Sequence, residues 1–229
     1  PHHENEIAQS EGCTGKHFVR HWIHAEHLIV NGKKMSKSLG NFYTLRDLLD
    51  KGYTGAEVRY LLLSTHYRTQ LNFTLEGLDA ARQTLNRLRD FIRRLRSAQA
   101  PSGDSLSPYI EKARQKFRTA LSDDLNISLA LAALFDMMKP INALIDVSKV
   151  TAVEAASVLT FLEELDTILA VLPLQEESLT IPPEIQEAFE KRQTARAAKD
   201  WAEADKQRDF IHAQGYQIED SPNGSFVKR

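Results

Sequence analysis

Between positions 78 and 172 the apolar residues fall into narrow seams with steps of three and four, and this limits the fold more than any other feature of the chain. Leu78, Ala81, Leu85, Leu88, Ile92 and Leu95 make the first seam, and Ile110, Ala113, Phe117 and Ala120, within a helix expected over Tyr109 to Leu121, make the second. Such spacing puts side chains on one face of a helix, and a stripe this narrow is buried only against other helices. Ala100-Pro101-Ser102-Gly103-Asp104 separates the two seams as a loop. Asn126 or Ser128 is expected to cap a third helix through Leu129, Ala132, Ala133 and Leu134. Pro140, without a donor, is expected to kink or interrupt it before the pattern resumes at Ile141, Leu144 and Ile145. Thr151 and Glu154 have the spacing of a capping box ahead of Val158, Leu162, Leu165, Leu169 and Leu172. The expected product is an antiparallel helical bundle from about residue 66 to 172.

Pro173 to Pro183, with Glu176-Glu177-Ser178 between, reads as a linker. Pro183 suits the first turn of a helix through Ile185, Ala188 and Phe189, and a second helix is expected from Trp201 to Gln214, stopped by Gly215. Tyr216 to Ile218 and Ser225 to Val227 flank the turn signal Ser221-Pro222-Asn223-Gly224, so the chain is expected to end in a hairpin. No apolar run long enough to span a bilayer and no apolar signal segment is evident, and the single Cys13 leaves no internal disulfide. The net charge of -2 means that any surface for nucleic acid must be local. One such surface is the stripe Arg82, Asn86, Arg89, Arg93 and Arg96, with Arg87 and Arg94 beside it and only Asp90 opposing between 82 and 96. Such a stripe is either a solvated helix face or a phosphate-contacting one.

Lys34-Met35-Ser36-Lys37-Ser38, followed by Leu39-Gly40-Asn41, gathers two lysines and two hydroxyls around a glycine-ended loop. Two flexible point charges on a loop suit a leaving pyrophosphate whose charge is developing. The stretch resembles the second signature of class I aminoacyl-tRNA synthetases. With His2-His3-Glu4-Asn5-Glu6, Trp22-Ile23-His24, Asn41-Phe42, Asp123-Asp124 with Asn126, and Asp200 through Asp209, the chain resembles the cysteinyl-tRNA synthetase family to its last residue. The resemblance is to the later half of such an enzyme, since the family's His-Ile-Gly-His signature does not occur in these 229 residues.

The resemblance implies a mainly α fold: the end of a Rossmann-like α/β catalytic domain, then the antiparallel bundle, then a small α+β anticodon-recognition module with a C-terminal β-hairpin. The implied divisions are 1–33 for the end of the catalytic domain, 34–65 for the lysine loop and stem-contact helices, 66–172 for a DALR-like bundle, 173–183 for a linker, and 184–229 for the anticodon module. It implies ATP-dependent activation of L-cysteine and transfer to tRNA(Cys) by a cytoplasmic monomer, with ATP entering with Mg2+. Lys34 and Lys37 are the implied catalytic and ATP contacts, with His3, Trp22 and His24 around the adenylate. His2 and Glu6, one helical turn apart, are the implied protein ligands of one Zn2+ in the complete enzyme, whose two cysteine ligands are not in this chain. Cys13 stands at neither family position, so the isolated fragment is expected to be inactive and metal-free. The implied tRNA contacts are Arg196, Asp205 and Asp220 to anticodon bases and Arg82, Arg89, Arg93 and Arg96 to the backbone, although Asp205 is equally placed to pair with Arg208 or Lys206. Two departures stand out: Ala25-Glu26 replaces the family's Asn-Gly after His24, and Ser225-Phe226-Val227-Lys228-Arg229 replaces a terminal Thr-Trp-Arg-Arg. Two rival readings remain open. One is the cysteine ligase of mycothiol synthesis, against which residues 184–229 speak, and the other is a non-catalytic RNA-binding helical module.

Overall fold

The protein is described by a computed structural model over residues 2–175, 182–221 and 224–228, with the backbone alone at 217, 219–221 and 224–228. It divides into two compact units, residues 1–174 and 175–229. The first contains α1 (His2–Thr14), β1 (Ile29–Val30), β2 (Lys33–Lys34), a 3-10 turn at Lys37–Leu39, α2 (Leu45–Asp50), α3 (Gly55–Leu63) and β3 (Asn72–Phe73). Four long helices follow: α4 (Leu75–Arg96), α5 (Ser107–Ser122), α6 (Ile127–Asp146) and α7 (Ala152–Leu169). The described residues are mostly helical, with a small sheet in each unit.

Helices α4 to α7 share one core in which α5 lies along α6 and α4 along α7. The first seam is buried as its spacing requires, with Phe91 added to it, and the second and fourth seams are buried in full. The third differs. Leu129 and Ala132 face solvent, and α6 instead buries Ala130, Leu131, Ala133, Leu134, Met137, Met138 and Ile141. At its start Asn126 accepts the Leu129 amide, while the Ser128 hydroxyl donates across to the Ser64 carbonyl at 3.2 Å. Pro140 does not interrupt α6. A mid-helix proline costs about 3 kcal/mol, whereas each neighbour that is fully buried, such as Ile141, returns about 1.5 to 3 kcal/mol. Alone among the described helices, α6 is long and apolar enough to cross a membrane, contrary to the expectation of no such run, yet its apolar face is part of the bundle core.

Thr151 accepts the Glu154 amide, but the Glu154 carboxylate leaves the cap and accepts from the Leu106 amide at 2.8 Å. Half of the capping box is therefore a tertiary tie between α7 and the start of α5. A second, smaller core of Val30, Leu48, Val58, Leu61, Phe73, Leu78 and Ala81 joins β1, β3, α2, α3 and the first turns of α4. Ala56, Tyr60 and Leu63 of α3 also pack on the bundle core, so α3 and α4 belong to both.

In the second unit α8 (Pro183–Ala197) packs on α9 (Trp201–Ala213), and β4 (Gln217–Ser221) pairs antiparallel with β5 (Gly224–Lys228). Ile185, Ala188 and Ile211 form its core, with Phe189, Tyr216 and Ile218 against them. Gly215 ends α9 with φ of 80°, a left-handed conformation that glycine adopts without steric cost. Pro222-Asn223 of the expected turn, Glu176-Glu177-Ser178 of the expected linker and Arg229 lie outside the described residues.

Candidate functional site

The lysine loop is mounted on a two-residue hairpin. β1 and β2 pair antiparallel, and Asn31 and Gly32 between them both have positive φ, 51° and 71°. Asn-Gly is the pair that favours this turn, because both residues tolerate the left-handed region and the turn's twist matches that of the strands. β1 also pairs in parallel with β3, and the Gly32 amide donates to the Asn72 side chain at 2.8 Å. Lys34 is thus the last residue of a short, braced ribbon.

After Lys34, Met35 drops against the smaller core and the chain turns through Lys37–Leu39. Gly40, at φ 65°, donates its amide to the Lys37 carbonyl and reverses the chain. The Ser36 and Ser38 hydroxyls are 2.7 Å apart, and Lys37 Nζ lies 5.5 Å from the centre of the Phe42 ring. Lys34 and Lys37 are both exposed. Asn41 was legible only as part of the resemblance, yet its side chain reaches Ser36, Lys34 and Val30 together.

Among the residues expected around an adenylate, His3 stacks on Trp22 with ring centres 4.3 Å apart, and His24 lies 4.7 Å from His3. Phe18 meets Trp22 edge-on at 6.1 Å, and the Phe18 amide donates to Glu11 on α1. Glu26, where the family has glycine, keeps an ordinary negative φ and donates its amide to the Tyr67 carbonyl at 2.7 Å. His2 and Glu6 stand on the exposed α1, which buries none of its residues. No group of three His, Cys, Asp or Glu able to hold a metal occurs among the described residues, and Cys13 is exposed at the far end of the same helix. One imidazole and one carboxylate do not make a zinc site, which takes four ligands with thiolates favoured.

The arginine stripe is largely engaged. Arg82 donates from Nε to Glu57 at 2.8 Å and from Nη2 to the Gly52 carbonyl, and it covers the Tyr53 ring. Glu57 is 7% exposed, so this pair fastens α3 to α4, and the Glu57 hydrogen bond raises the Arg82 pKa. Arg89 donates to Asn86 and Arg93 to Asp90, Arg94 meets Asn142 and Asp146, and Arg96 donates to the Leu174 carbonyl. Glu57 and Asp146 come from outside the stripe's own stretch, so the local count of one acid understated its neutralisation. In the second unit Arg196 lies in the last turn of α8, and Asp205 on α9 pairs with Arg208 at 2.9 Å. Asp220 stands opposite Ser225 in the hairpin.

One cluster had no counterpart in the sequence reading beyond the motif Asp123-Asp124. The Asp124 carboxylate accepts from the Tyr67 hydroxyl at 2.6 Å and from Arg68 Nε at 2.7 Å, and its carbonyl lies 2.8 Å from His66 Nε2. The Tyr67 hydroxyl first and Arg68 second hold the Asp124 pKa below the usual carboxylate range. Asp124 and Leu125 both have positive φ, 53° and 56°. Arg59 makes a second tie, donating Nε to the Leu169 carbonyl at the end of α7 at 2.6 Å.

Residues 1–83 match the family model of the class I (C) tRNA synthetase catalytic domain, and residues 116–173 match that of the DALR domain. The whole chain is 55% identical over 230 residues to the cysteine–tRNA ligase of Protochlamydia amoebophila, covering 48% of that protein. It is 52% identical over 233 residues to the cysteine–tRNA ligase of Chlamydia felis, covering 48% of it, and 51% identical over 241 residues to that of Chlamydia muridarum, covering 50%. The chain spans about half the length of the curated relatives it matches.

Proposed function

We propose, from the premise that this chain belongs to the class I cysteinyl-tRNA synthetase family, that the complete protein carrying it activates L-cysteine with ATP and transfers it to the 3′ end of tRNA(Cys). The observation that carries the reading is the braced hairpin that holds Lys34 and Lys37 exposed on a loop anchored at both ends. The cysteine carboxylate attacks the α-phosphorus, pyrophosphate leaves, and the terminal ribose hydroxyl of the tRNA then takes the acyl group. Neither step needs an enzyme nucleophile. Catalysis rests on positioning and on charge placed where the leaving group becomes more negative, which is what two lysines on a fixed loop supply. ATP enters with Mg2+, as polyphosphate substrates do.

The stacked His3 and Trp22, with His24 beside them, form the wall against which an adenine or adenylate would lie. The family implies zinc, which would bind the substrate thiol. His2 and Glu6 supply at most part of that site, and no step here is routed through the metal. We assign residues 1–33 and 34–65 to the catalytic end and its stem-contact helices, 66–172 to the DALR-like bundle, 173–183 to a linker and 184–229 to anticodon recognition. Arg196, Asp205 and Asp220 are the proposed base contacts. Arg89, Arg93 and Arg96 are proposed to meet the tRNA backbone by exchanging their present partners for phosphate. Arg82, which holds Glu57, is the weakest of that set. The reading makes the protein a cytoplasmic monomer of translation.

Cysteine-dependent ATP–pyrophosphate exchange tests it. The complete protein is expected to support exchange with cysteine and not with serine, and Lys37→Ala is expected to lower it about a hundredfold, as removal of one preorganised charge contact does. The 229-residue chain alone is expected to bind tRNA without exchange. No cysteine-dependent exchange by the complete protein overturns the assignment.

A further inference from the structure

We infer that Asn41 is a positioning residue for adenylate formation: its side chain sets the backbone from which Lys34 and Lys37 project. The inference rests on the function proposed above. Between the end of β2 at Lys34 and the start of α2 at Leu45 the chain has no strand pairing to fix its path, and its polar backbone must be satisfied in another way. Asn41 does this from inside the loop. Its Oδ1 accepts the Ser36 amide at 2.9 Å, and its Nδ2 donates to the Lys34 carbonyl at 3.1 Å and the Val30 carbonyl at 3.4 Å. One planar amide therefore holds the stem strand, the last residue of the ribbon and the first residue of the turn.

The three contacts bracket Met35, which is packed on the smaller core, so the backbone on both sides of that anchor is fixed. Lys34 leaves the clasp on one side and Lys37 follows one residue after it on the other. Gly40 makes the arrangement possible, because its left-handed φ of 65° turns the chain back so that residue 41 returns to residue 34. No aspartate would serve as well. A carboxylate could accept the Ser36 amide but would turn a lone pair towards the two carbonyls that now receive N–H groups. A shift of about 1 Å in a catalytic group costs about a hundredfold in rate, which is the scale of effect a released loop would produce.

The test compares Asn41→Ala and Asn41→Asp in the complete protein. Both are expected to lower the turnover of cysteine-dependent pyrophosphate exchange by about 10- to 100-fold. The loss should fall on turnover rather than on the KM values for ATP and cysteine, which should stay within about twofold because the charge that the lysines meet develops in the transition state. Transfer from preformed adenylate to tRNA should keep its rate, since the second step does not use the pyrophosphate contacts. The Ser36 amide should exchange its hydrogen faster in both variants while the amides of α4 keep their protection. The inference is overturned by exchange turnover within twofold of wild type, by equal losses in both half-reactions, or by unchanged Ser36 exchange. An inactive wild-type protein would overturn the proposed function instead, and the Ser36 amide would still decide whether Asn41 orders the loop.

Discussion

Asp124 is a surface residue with an unusual set of obligations. Its left-handed backbone follows the end of α5, and its carboxylate is shared between Tyr67 and Arg68, which lie in the turn between α3 and β3. A carboxylate whose pKa is lowered in the folded state stabilises the fold above its unfolded pKa, about 3.9, and that contribution is lost as pH falls through the folded value. Asp124→Asn should therefore lower the urea midpoint near neutral pH, with the gap to wild type closing as pH drops below about 4. A gap that stays constant down to pH 2.5 would show that the carboxylate's charge is not what matters. The sequence displayed Asp123-Asp124 and Asn126 as a block, and it displayed Tyr67 and Arg68, but nothing in it tied them together. A contact across 57 positions leaves no periodic trace. Lys34, Lys37, His3 and Trp22 can be named as candidates for the opposite reason, since residue type and order within short stretches mark them.

At the scale of elements, the seams of α4, α5 and α7 could be read directly because burial on one helical face repeats at a fixed step. The phase of α6 could not, because Ala- and Leu-rich stretches offer several faces and the choice falls to packing in the bundle core. The hairpin under the lysine loop has its own local signal, since Asn31-Gly32 between Ile29-Val30 and Lys33-Lys34 is a strong two-residue turn pair. Glu154 shows a different limit, since a correct spacing named the right cap and the wrong partner for its carboxylate. The loop between α4 and α5 gives a test at this scale. Ala100 and Asp104 donate their amides to the carbonyls of Val150 and Lys149, and a β-carbon at Gly103 would stand 2.3 Å from the Lys149 carbonyl oxygen. That oxygen is backbone and accepts the Asp104 amide, so it cannot yield without breaking the contact. Gly103→Ala should destabilise the first unit by about 1 to 3 kcal/mol, measured by urea unfolding. An unchanged midpoint would mean that the loop relaxes freely.

For the whole molecule the important fact is the division into units of very different size. Residues 1–174 are held by two linked cores, whereas among the described side chains of the second unit Ile185, Ala188 and Ile211 pack together with three partly buried neighbours. A unit as short as residues 175–229 rarely draws more than about 3 to 5 kcal/mol from one core, and Ile→Ala in a core costs about 2 to 5 kcal/mol. Ile211→Ala should therefore abolish hydrogen-exchange protection in α8 and α9 while α4 to α7 keep theirs. Loss of protection in both units together would show that they do not unfold separately. The first unit has the contrary property, and it comes from the parallel pairing of β1 with β3. The recognisable word, Lys34 to Ser38, is spelled in one place, but the strut that steadies its stem is delivered by residues 72 and 73, after two intervening helices. Transplanting the word into another protein, or trimming this one before Phe73, would carry the letters and leave their grammar behind. The signature is short to write and long to build.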